Sequence, residues 1–184
     1  MPVNMLLRTL ITLLFAGRKP PIDMHDVAYK HMRVLPNDID ILKHVNNGVY
    51  FSLMDLGRFE LLIRAGVWGR MRRAGISPVV ASETITFRKS LQLWQRYTLE
   101  SRIAGYDDKA VYIEQRFVVG GEIYAQAYLR GRFLKKSGGT VGLAELAALL
   151  ELDLSELTVP EWMDRWAGDV ALPSTRAEAP SVWS

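Results

Sequence analysis

One helical segment of this chain is apolar around nearly its whole circumference. It is predicted to begin at Asn46 or Asn47, either of which can cap a helix, and to end near Arg64, just before Ala65-Gly66. Its apolar residues are Val49, Tyr50, Phe51, Leu53, Met54, Leu56, Phe59, Leu61, Leu62 and Ile63. Such a helix is stable only where other elements cover it, so the rest of the chain must wrap around it. Gly57, in its middle, predicts a close approach to the covering sheet.

Four long segments after this helix alternate apolar and polar residues, as strands do. Their inward-facing residues are predicted to be Ile85 and Phe87, then Tyr97, Leu99, Ser101 and Ile103, then Val111, Ile113 and Phe117, and finally Ile123, Ala125, Ala127, Leu129 and Phe133. Tight connections at 107–109 and 120–121 predict that the last three strands form an antiparallel meander. A fifth strand is predicted from Val27 to Val34, before a turn at Pro36-Asn37-Asp38. The expected fold class is therefore α+β, with an antiparallel sheet around a central helix.

Between the first strand and the central helix, residues 38–47 read Asp-Ile-Asp-Ile-Leu-Lys-His-Val-Asn-Asn. A carboxylate such as that of Asp40 can activate water or attack a carbonyl carbon. The free N–H groups at the start of a buried helix can stabilise the negative charge that develops on the carbonyl oxygen. Asp40 and the backbone at Asn46 and Asn47 thus place an acid or base beside a helix end that can stabilise an anion.

The same stretch resembles the D-x-x-x-H-V-N-N-x-x-Y signature of hotdog-fold acyl thioesterases. The matching residues are Asp40, His44, Val45, Asn46, Asn47 and Tyr50. In the similar 4-hydroxybenzoyl-CoA thioesterase-like enzymes, the catalytic acid stands ten positions before an aromatic residue of the central helix, as Asp40 does before Tyr50. The resemblance implies that Asp40 is the base or nucleophile, that the Asn47 N–H polarises the thioester, and that His44 assists.

The resemblance covers about residues 27–136 and implies an acyl-CoA thioesterase acting on a fatty or aromatic acyl group. Asn46 and Tyr50 are expected to contact the substrate, and Arg88 and Lys89 to meet the phosphates of coenzyme A. Proteins of this family pair through their sheets, so a homodimer or homotetramer with sites between subunits is implied. No metal or redox cofactor is required. The alternative is a non-catalytic acyl- or lipid-binding hotdog protein that keeps the pocket without turnover.

Several motif residues also have an ordinary structural interpretation. Asp38 is expected to form the turn after Pro36, and the two asparagines can act as helix caps alone. His44 remains open between acid–base chemistry, binding and a hydrogen bond within the loop. On the central helix, Asp55 and Arg58 are predicted to form a salt bridge. Glu60 is a weaker catalytic candidate, because a different branch of hotdog enzymes uses a glutamate on this helix.

The composition excludes several kinds of chemistry. The chain has no cysteine, hence no disulfide, no thiolate metal site and no cysteine nucleophile. Its three histidines lack the spacing of metal ligands. A nucleic-acid module is disfavoured, because the aromatic residues follow the periodicity of a core and no binding motif occurs.

The charges are unevenly distributed along the chain. Residues 1–144 carry 21 Lys and Arg against 12 Asp and Glu, whereas residues 145–184 carry 2 against 8. The basic body is suited to an anionic ligand such as a nucleotide-bearing thioester. A basic domain neutralised by its own acidic extension explains the same numbers equally well.

The first 22 residues are predicted to form an amphipathic helix and a linker before the hotdog domain at 23–140, which an acidic extension at 141–184 follows. The apolar run at 5–16 is too short to span a bilayer, and it has basic residues after it, unlike a signal peptide. Leu6, Leu7, Leu10, Leu13 and Leu14 fall on one helical stripe with Arg8 off it. We expect a cytoplasmic protein whose stripe docks on its own domain or makes peripheral contact with a membrane.

Overall fold

Five long antiparallel strands and one central helix form the body of the protein in this computed structural model, which describes residues 3–152, 158–174 and 176–182. The helices are α1 (Val3–Phe15), α2 (Asn47–Arg64), α3 (Val67–Arg73), α4 (Leu143–Leu150) and α5 (Glu161–Asp169). The strands are β1 (Ala28–Arg33), β2 (Ile76–Phe87), β3 (Arg96–Tyr106), β4 (Val111–Val119), β5 (Glu122–Lys135) and the short β6 (Thr140–Val141). The central helix α2 has the predicted start and end.

The strands form one sheet in the order β1-β3-β4-β5-β2, and all neighbouring strands are antiparallel. This order confirms the predicted meander of β3, β4 and β5, and β6 pairs with the end of β5. Leu99, Phe117 and Ala125 lie side by side in register and are fully buried, as the alternation predicted. Phe87 and Ile123 are less buried than predicted, because each lies at the end of its strand. The edge strands are β1 and β2.

The central helix lies against the inner face of the sheet and is most closely packed at Gly57. A Cβ atom added to Gly57 would lie 2.6 Å from Oγ of Ser101 and 2.8 Å from Nε2 of Gln115. The Gln115 side chain donates hydrogen bonds to the Ser101 hydroxyl and to the Met54 carbonyl of the helix. The predicted close approach of helix and sheet is therefore confirmed, and there is no room for a side chain at this position.

Helix α1 packs on another side of α2, by the face opposite to its leucines. Its buried residues Met5 and Thr12 and the largely buried Arg8 face the domain, as does Ala16 directly after the helix, whereas the leucine stripe is exposed. Of the two predicted alternatives, docking by the leucine stripe is wrong. The docked face includes Arg8, which lies off the leucine stripe, because Arg8 pairs with Asp38 of the domain. Within the described residues, no helix has the length and hydropathy needed to cross a bilayer.

A buried ionic cluster fixes the linker after α1 to the central helix. Glu60 is only 1% exposed, and it accepts hydrogen bonds from Lys19 of the linker and Lys30 of β1. Arg64, one turn further along α2, lies 4.0 Å from the same carboxylate. Burial raises the pKa of Glu60, but the two lysine hydrogen bonds outweigh this effect and hold the pKa below its ordinary value. Glu60 is thus a structural anion in this fold.

The short helices α3, α4 and α5 pack around the sheet. Helix α5 packs on the outer face of the sheet through Met163 and Ala167 beside Tyr112. The basic segment after α2 forms α3. Its residues Val67 and Met71 are buried in the core together with α4, which makes this short helix stable.

Gly57→Leu is expected to lower the free energy of unfolding by about 1–3 kcal/mol, although leucine is the better helix former, because the sheet leaves no space for the added atoms. Urea unfolding measures the difference. Gly168→Leu serves as the control, since a Cβ there meets no atom within 4 Å. A Gly57→Leu protein as stable as wild type would show that helix and sheet are not in contact here.

Glu60→Gln is expected to destabilise the fold at pH 7 by about 3 kcal/mol, because two lysines lose their buried partner. A carboxylate with a lowered folded-state pKa contributes its stability above the unfolded value of about 4.5 and loses it as the pH falls through the folded value. The difference in the free energy of unfolding between variant and wild type should therefore shrink below pH 4.5, as measured by urea unfolding against pH. The exposed Glu145 gives the control variant Glu145→Gln. A gap independent of pH would contradict the account of this cluster.

Candidate active site

The conspicuous sequence between β1 and α2 folds into a small hairpin, which we call the motif hairpin (residues 38–46). The Asp40 N–H donates to the His44 carbonyl at 3.0 Å, and the Asn46 N–H donates to the Asp38 carbonyl at 2.8 Å. The turn closes through the Lys43 N–H, which donates to the Asp40 carbonyl, with a φ of 65° at Lys43. Two short-range pairings thus fix the hairpin directly before the central helix.

Asp40 and His44 lie opposite each other at the end of the hairpin. The Oδ2 atom of Asp40 is 3.8 Å from Nδ1 of His44, and the two side chains are 20% and 30% exposed. The other carboxylate oxygen, Oδ1, accepts a hydrogen bond from the Leu42 N–H and so stabilises the turn. The structure therefore brings together the two residues predicted to act together, and it gives Asp40 a structural role as well.

The motif hairpin leads directly into the N-terminus of α2. Asn46 is the capping residue, and its side-chain oxygen accepts a hydrogen bond from the Gly48 N–H at 2.9 Å. Asn47 is the first residue of the helix and is exposed. A helix makes no internal hydrogen bond to the N–H of its first residue, so the Asn47 N–H can serve a ligand. The positive end of the helix dipole lies at the same place.

The β2–β3 loop (residues 88–95) braces the motif hairpin from the side. The Val45 N–H donates to the Leu91 carbonyl at 3.1 Å, and His44 forms an antiparallel bridge with Gln92. The Tyr50 hydroxyl accepts a long hydrogen bond of 3.4 Å from the Leu91 N–H. The ring of Tyr50 is buried in the core, so this residue acts on the hairpin through the loop in the single chain. Gln92 carried no sequence signal, because its contact depends on the fold.

Arg88 and Lys89, predicted to meet phosphates, lie at the start of the same loop. Both side chains contact the carboxylate of Glu122 at 2.7 Å, and all three groups are about half exposed. Both backbone N–H groups donate to the Tyr124 carbonyl, which fixes the position of the pair. Two cations share one carboxylate, so this surface keeps a net positive charge beside the hairpin.

Exposed apolar side chains flank the Asp40–His44 pair on both sides. Ile41 and Leu42 at the tip of the hairpin are 96% and 68% exposed, and Leu93 and Trp94 of the β2–β3 loop are about half exposed. Trp94 has a φ of 64°, a conformation that bulky residues rarely adopt. Backbone strain of this kind is concentrated at functional sites. The hairpin and the loop therefore present apolar surface next to the polar pair.

The sequence alone did not reveal the partner of Asp38. This carboxylate is 1% exposed and accepts hydrogen bonds from the Leu35 N–H, which confirms its role in the turn, and from the guanidinium of Arg8 on α1. The signal available was a single charged residue in a mostly apolar helix. A pairing over thirty positions could not be assigned from it.

The candidate residues on the central helix are engaged elsewhere. Asp55 and Arg58 form the predicted salt bridge, and Arg58 also donates to Gln115. Glu60 is bound by its two lysines, which removes it as a base. In the part of the chain that the structure describes, no three His, Asp or Glu side chains are close enough to hold a metal ion.

The single chain leaves the motif hairpin open. An apolar cavity of about 110 Å³ lies under the edge strand β2 and is lined by residues such as Phe59, Val79 and Ile113. A shallow groove of about 700 Å³ lies on β1 and β3, lined by His31, Arg33 and other residues. Neither is lined by Asp40, His44 or Asn47.

Comparison with known proteins places this arrangement in a family. The profile of the "Thioesterase-like superfamily" matches residues 34–167, which include the motif hairpin, the central helix and every strand of the sheet except β1. The chain is 41% identical over 99 residues to Protein THEM6 of Xenopus laevis, a match covering 54% of this chain and 48% of that protein. It is 30% identical over 151 residues to Protein THEM6 of Danio rerio, covering 82% of this chain and 74% of that protein. The first of these matches thus spans about half the length of the relative.

The fold is also shared with solved structures. BH1999 gentisyl-coenzyme A thioesterase superposes with a TM-score of 0.60 at 18% sequence identity, covering 66% of this chain and 99% of that one. At this identity the likeness shows the fold, which confirms the predicted hotdog architecture. Since the family profile covers well over half of its length, the chain belongs to the thioesterase-like superfamily.

Proposed function

We propose that this protein hydrolyses acyl-CoA thioesters of fatty or aromatic acids at the motif hairpin. The observation that carries the proposal is the position of the Asp40–His44 pair, which is joined by backbone hydrogen bonds to the cap of α2. A carboxylate and a free helical N–H group then stand on one continuous segment. Membership of the superfamily supports thioester hydrolysis as the chemistry.

In the proposed mechanism, the thioester carbonyl oxygen accepts a hydrogen bond from the Asn47 N–H, which stabilises the negative charge of the tetrahedral intermediate. Oδ2 of Asp40 either takes a proton from the attacking water or attacks the carbonyl carbon itself to form an anhydride that water then opens. The C–S bond breaks, and the thiolate of coenzyme A leaves and takes up a proton. His44, 3.8 Å from Oδ2, is placed to assist proton transfer.

The charges beside the hairpin support coenzyme A as the carrier. Arg88 and Lys89 bind one exposed carboxylate, and exposed ion pairs contribute little, about 0–1 kcal/mol each. Phosphate groups can therefore replace Glu122 at small cost. The structural neighbour named as a gentisyl-coenzyme A thioesterase shares the fold on which these residues lie.

The apolar surface beside the polar pair supports a hydrophobic acyl group. Ile41 and Leu42 on one side and Leu93 and Trp94 on the other would be covered by such a group or by a second chain. Burying the side chains of these residues is favourable by roughly 25 cal/mol per Å² of apolar area.

A homodimer or homotetramer is proposed as the working unit. The motif hairpin is open in the single chain. Within the described residues, no strand pairs with the outer side of the edge strand β2. An unpaired edge is a ready template for another strand. A second copy would extend the sheet and close the site.

Peripheral membrane contact through residues 5–16 is proposed for the outer face of α1. The docked helix turns its leucines outward, and Arg18 follows at its end. An exposed apolar helix face with basic residues beside it suits the interface of an anionic bilayer.

The alternative function is a non-catalytic acyl or lipid binder. Two observations favour it, since Oδ1 of Asp40 holds the turn and the Asn46 side chain serves as a cap. Both residues would then be needed for the shape of the hairpin alone.

Asp40→Asn is expected to lower kcat for acyl-CoA hydrolysis by at least about 100-fold, because the base or nucleophile is lost. Asparagine keeps an oxygen that can accept the Leu42 N–H, so the hairpin and the thermal stability should persist. Asp108→Asn, at an exposed aspartate in the β3–β4 turn, is the matched control. If the wild-type protein binds acyl-CoA but hydrolyses none across a range of chain lengths, the alternative function as a non-catalytic binder is correct and the proposed hydrolysis is wrong.

Sedimentation velocity is expected to give an even-numbered oligomer at micromolar concentration. Ala81→Pro, placed at the irregular point of the edge strand between Val80 and Ser82, should weaken the assembly and the activity together, because proline blocks strand addition. A monomeric wild type with full activity would contradict the shared site.

The triple change of Leu6, Leu10 and Leu14 to Gln is expected to abolish cosedimentation with anionic liposomes while the melting temperature stays the same, since these side chains are exposed. Leu172→Gln, at another exposed leucine, is the control. Unchanged liposome binding by the triple variant, or none by wild type, would refute the membrane contact.

A further inference from the structure

The guanidinium of Arg8 connects α1 to the motif hairpin. It donates to Oδ1 of Asp38 at 2.8 Å and to Oδ2 at 3.1 Å, and it also donates to the Arg33 carbonyl at the end of β1. Two parallel hydrogen bonds to one carboxylate fix direction as well as distance. Arg8 thus fixes both the position and the orientation of the Asp38 carboxylate, although the two residues are thirty positions apart.

Asp38 carries this constraint into the hairpin. Its carboxylate also accepts a hydrogen bond from the Leu35 N–H, and its carbonyl accepts one from the Asn46 N–H. Asp38 is therefore bonded both to the segment that follows β1 and to the capping residue of α2. Asp40 lies two residues further on, and its N–H donates to the His44 carbonyl in the next backbone pairing of the hairpin. A shift of Asp38 would therefore move both the proposed base and the N-terminus of α2.

The burial of Asp38 makes the arginine necessary. At 1% exposure the carboxylate has no access to water that could replace a lost partner. Without Arg8, the hairpin has to open so that water can reach the carboxylate. This opening changes the hairpin before it changes the distant sheet.

We infer that Arg8 is a positioning residue for the proposed active site, acting through Asp38 on Asp40 and on the α2 N-terminus. The helix that supplies it lies outside residues 34–167, the part matched by the family profile. The site would then depend on a segment that precedes the catalytic domain. This inference rests on the proposed function for its kinetic test, but its structural test does not.

The experiment compares Arg8→Met and Arg8→Lys with Arg130→Met in the full-length protein. Arg130 pairs with Asp107 at 3.1 Å and is similarly shielded, but it lies on β5 and its partner lies in the β3–β4 turn, away from the motif hairpin. Arg8→Met is expected to lower kcat at least 10-fold with KM changed less than 3-fold, and Arg8→Lys should recover part of the loss. Arg130→Met should lower the melting temperature and leave kcat within 2-fold.

Hydrogen exchange gives a second readout that needs no activity. In Arg8→Met, the amides of Asp40 and Asn46, both hydrogen-bonded within the hairpin, should exchange at least 10-fold faster while amides of β4 are unchanged. Unchanged kcat and unchanged exchange at these two amides would overturn the inference, and so would a uniform rise across the protein. If wild type shows no hydrolysis, the proposed function fails, and the exchange at Asp40 and Asn46 still decides the role of Arg8.

Discussion

A helix without a polar face has to be covered on every side, and the covers of α2 determine the rest of this structure. The inner face of the sheet covers one side so tightly that Gly57 leaves no room for a Cβ atom. Helix α1 covers another side with Met5 and Thr12, together with Ala16 directly after it. What stays accessible is the start of the helix, where the Asn47 N–H can bind a ligand. The position of the candidate active site follows from this burial.

Two buried carboxylates hold α1 and the linker after it against the rest of the domain. Asp38 binds Arg8 near the middle of α1, and Glu60 binds Lys19 in the linker that follows this helix. Each carboxylate is 1% exposed, so each depends on its cation. The helix at the N-terminus is therefore a part of the folded domain on one face, while its leucines on the other face are free for the proposed membrane contact. One short helix can serve both purposes because its two faces differ.

Local patterns in the sequence predicted much of this arrangement. The periodicity of α2 and of the strands gave the architecture, and the motif gave the pairing of Asp40 with His44. Contacts between distant segments left no local signal, as for Arg8 with Asp38 and His44 with Gln92. Tyr50 shows the same limit, since its ring lies in the core and its hydroxyl contacts Leu91, a contact that the sequence did not indicate. The substrate contact expected of Tyr50 stays a prediction. The roles of Asp40, His44 and Asn47 in catalysis remain predictions.

The central claim is that the motif hairpin and the first turn of α2 form one thioester-binding site. The most direct measurement is a crystal structure of the protein with a non-hydrolysable acyl-CoA analogue that keeps the carbonyl group. The account predicts the carbonyl oxygen at about 3 Å from the Asn47 N–H, with Oδ2 of Asp40 facing the carbonyl carbon. An analogue bound instead in the cavity under β2 or in the groove on β1 and β3, away from Asp40, would contradict it.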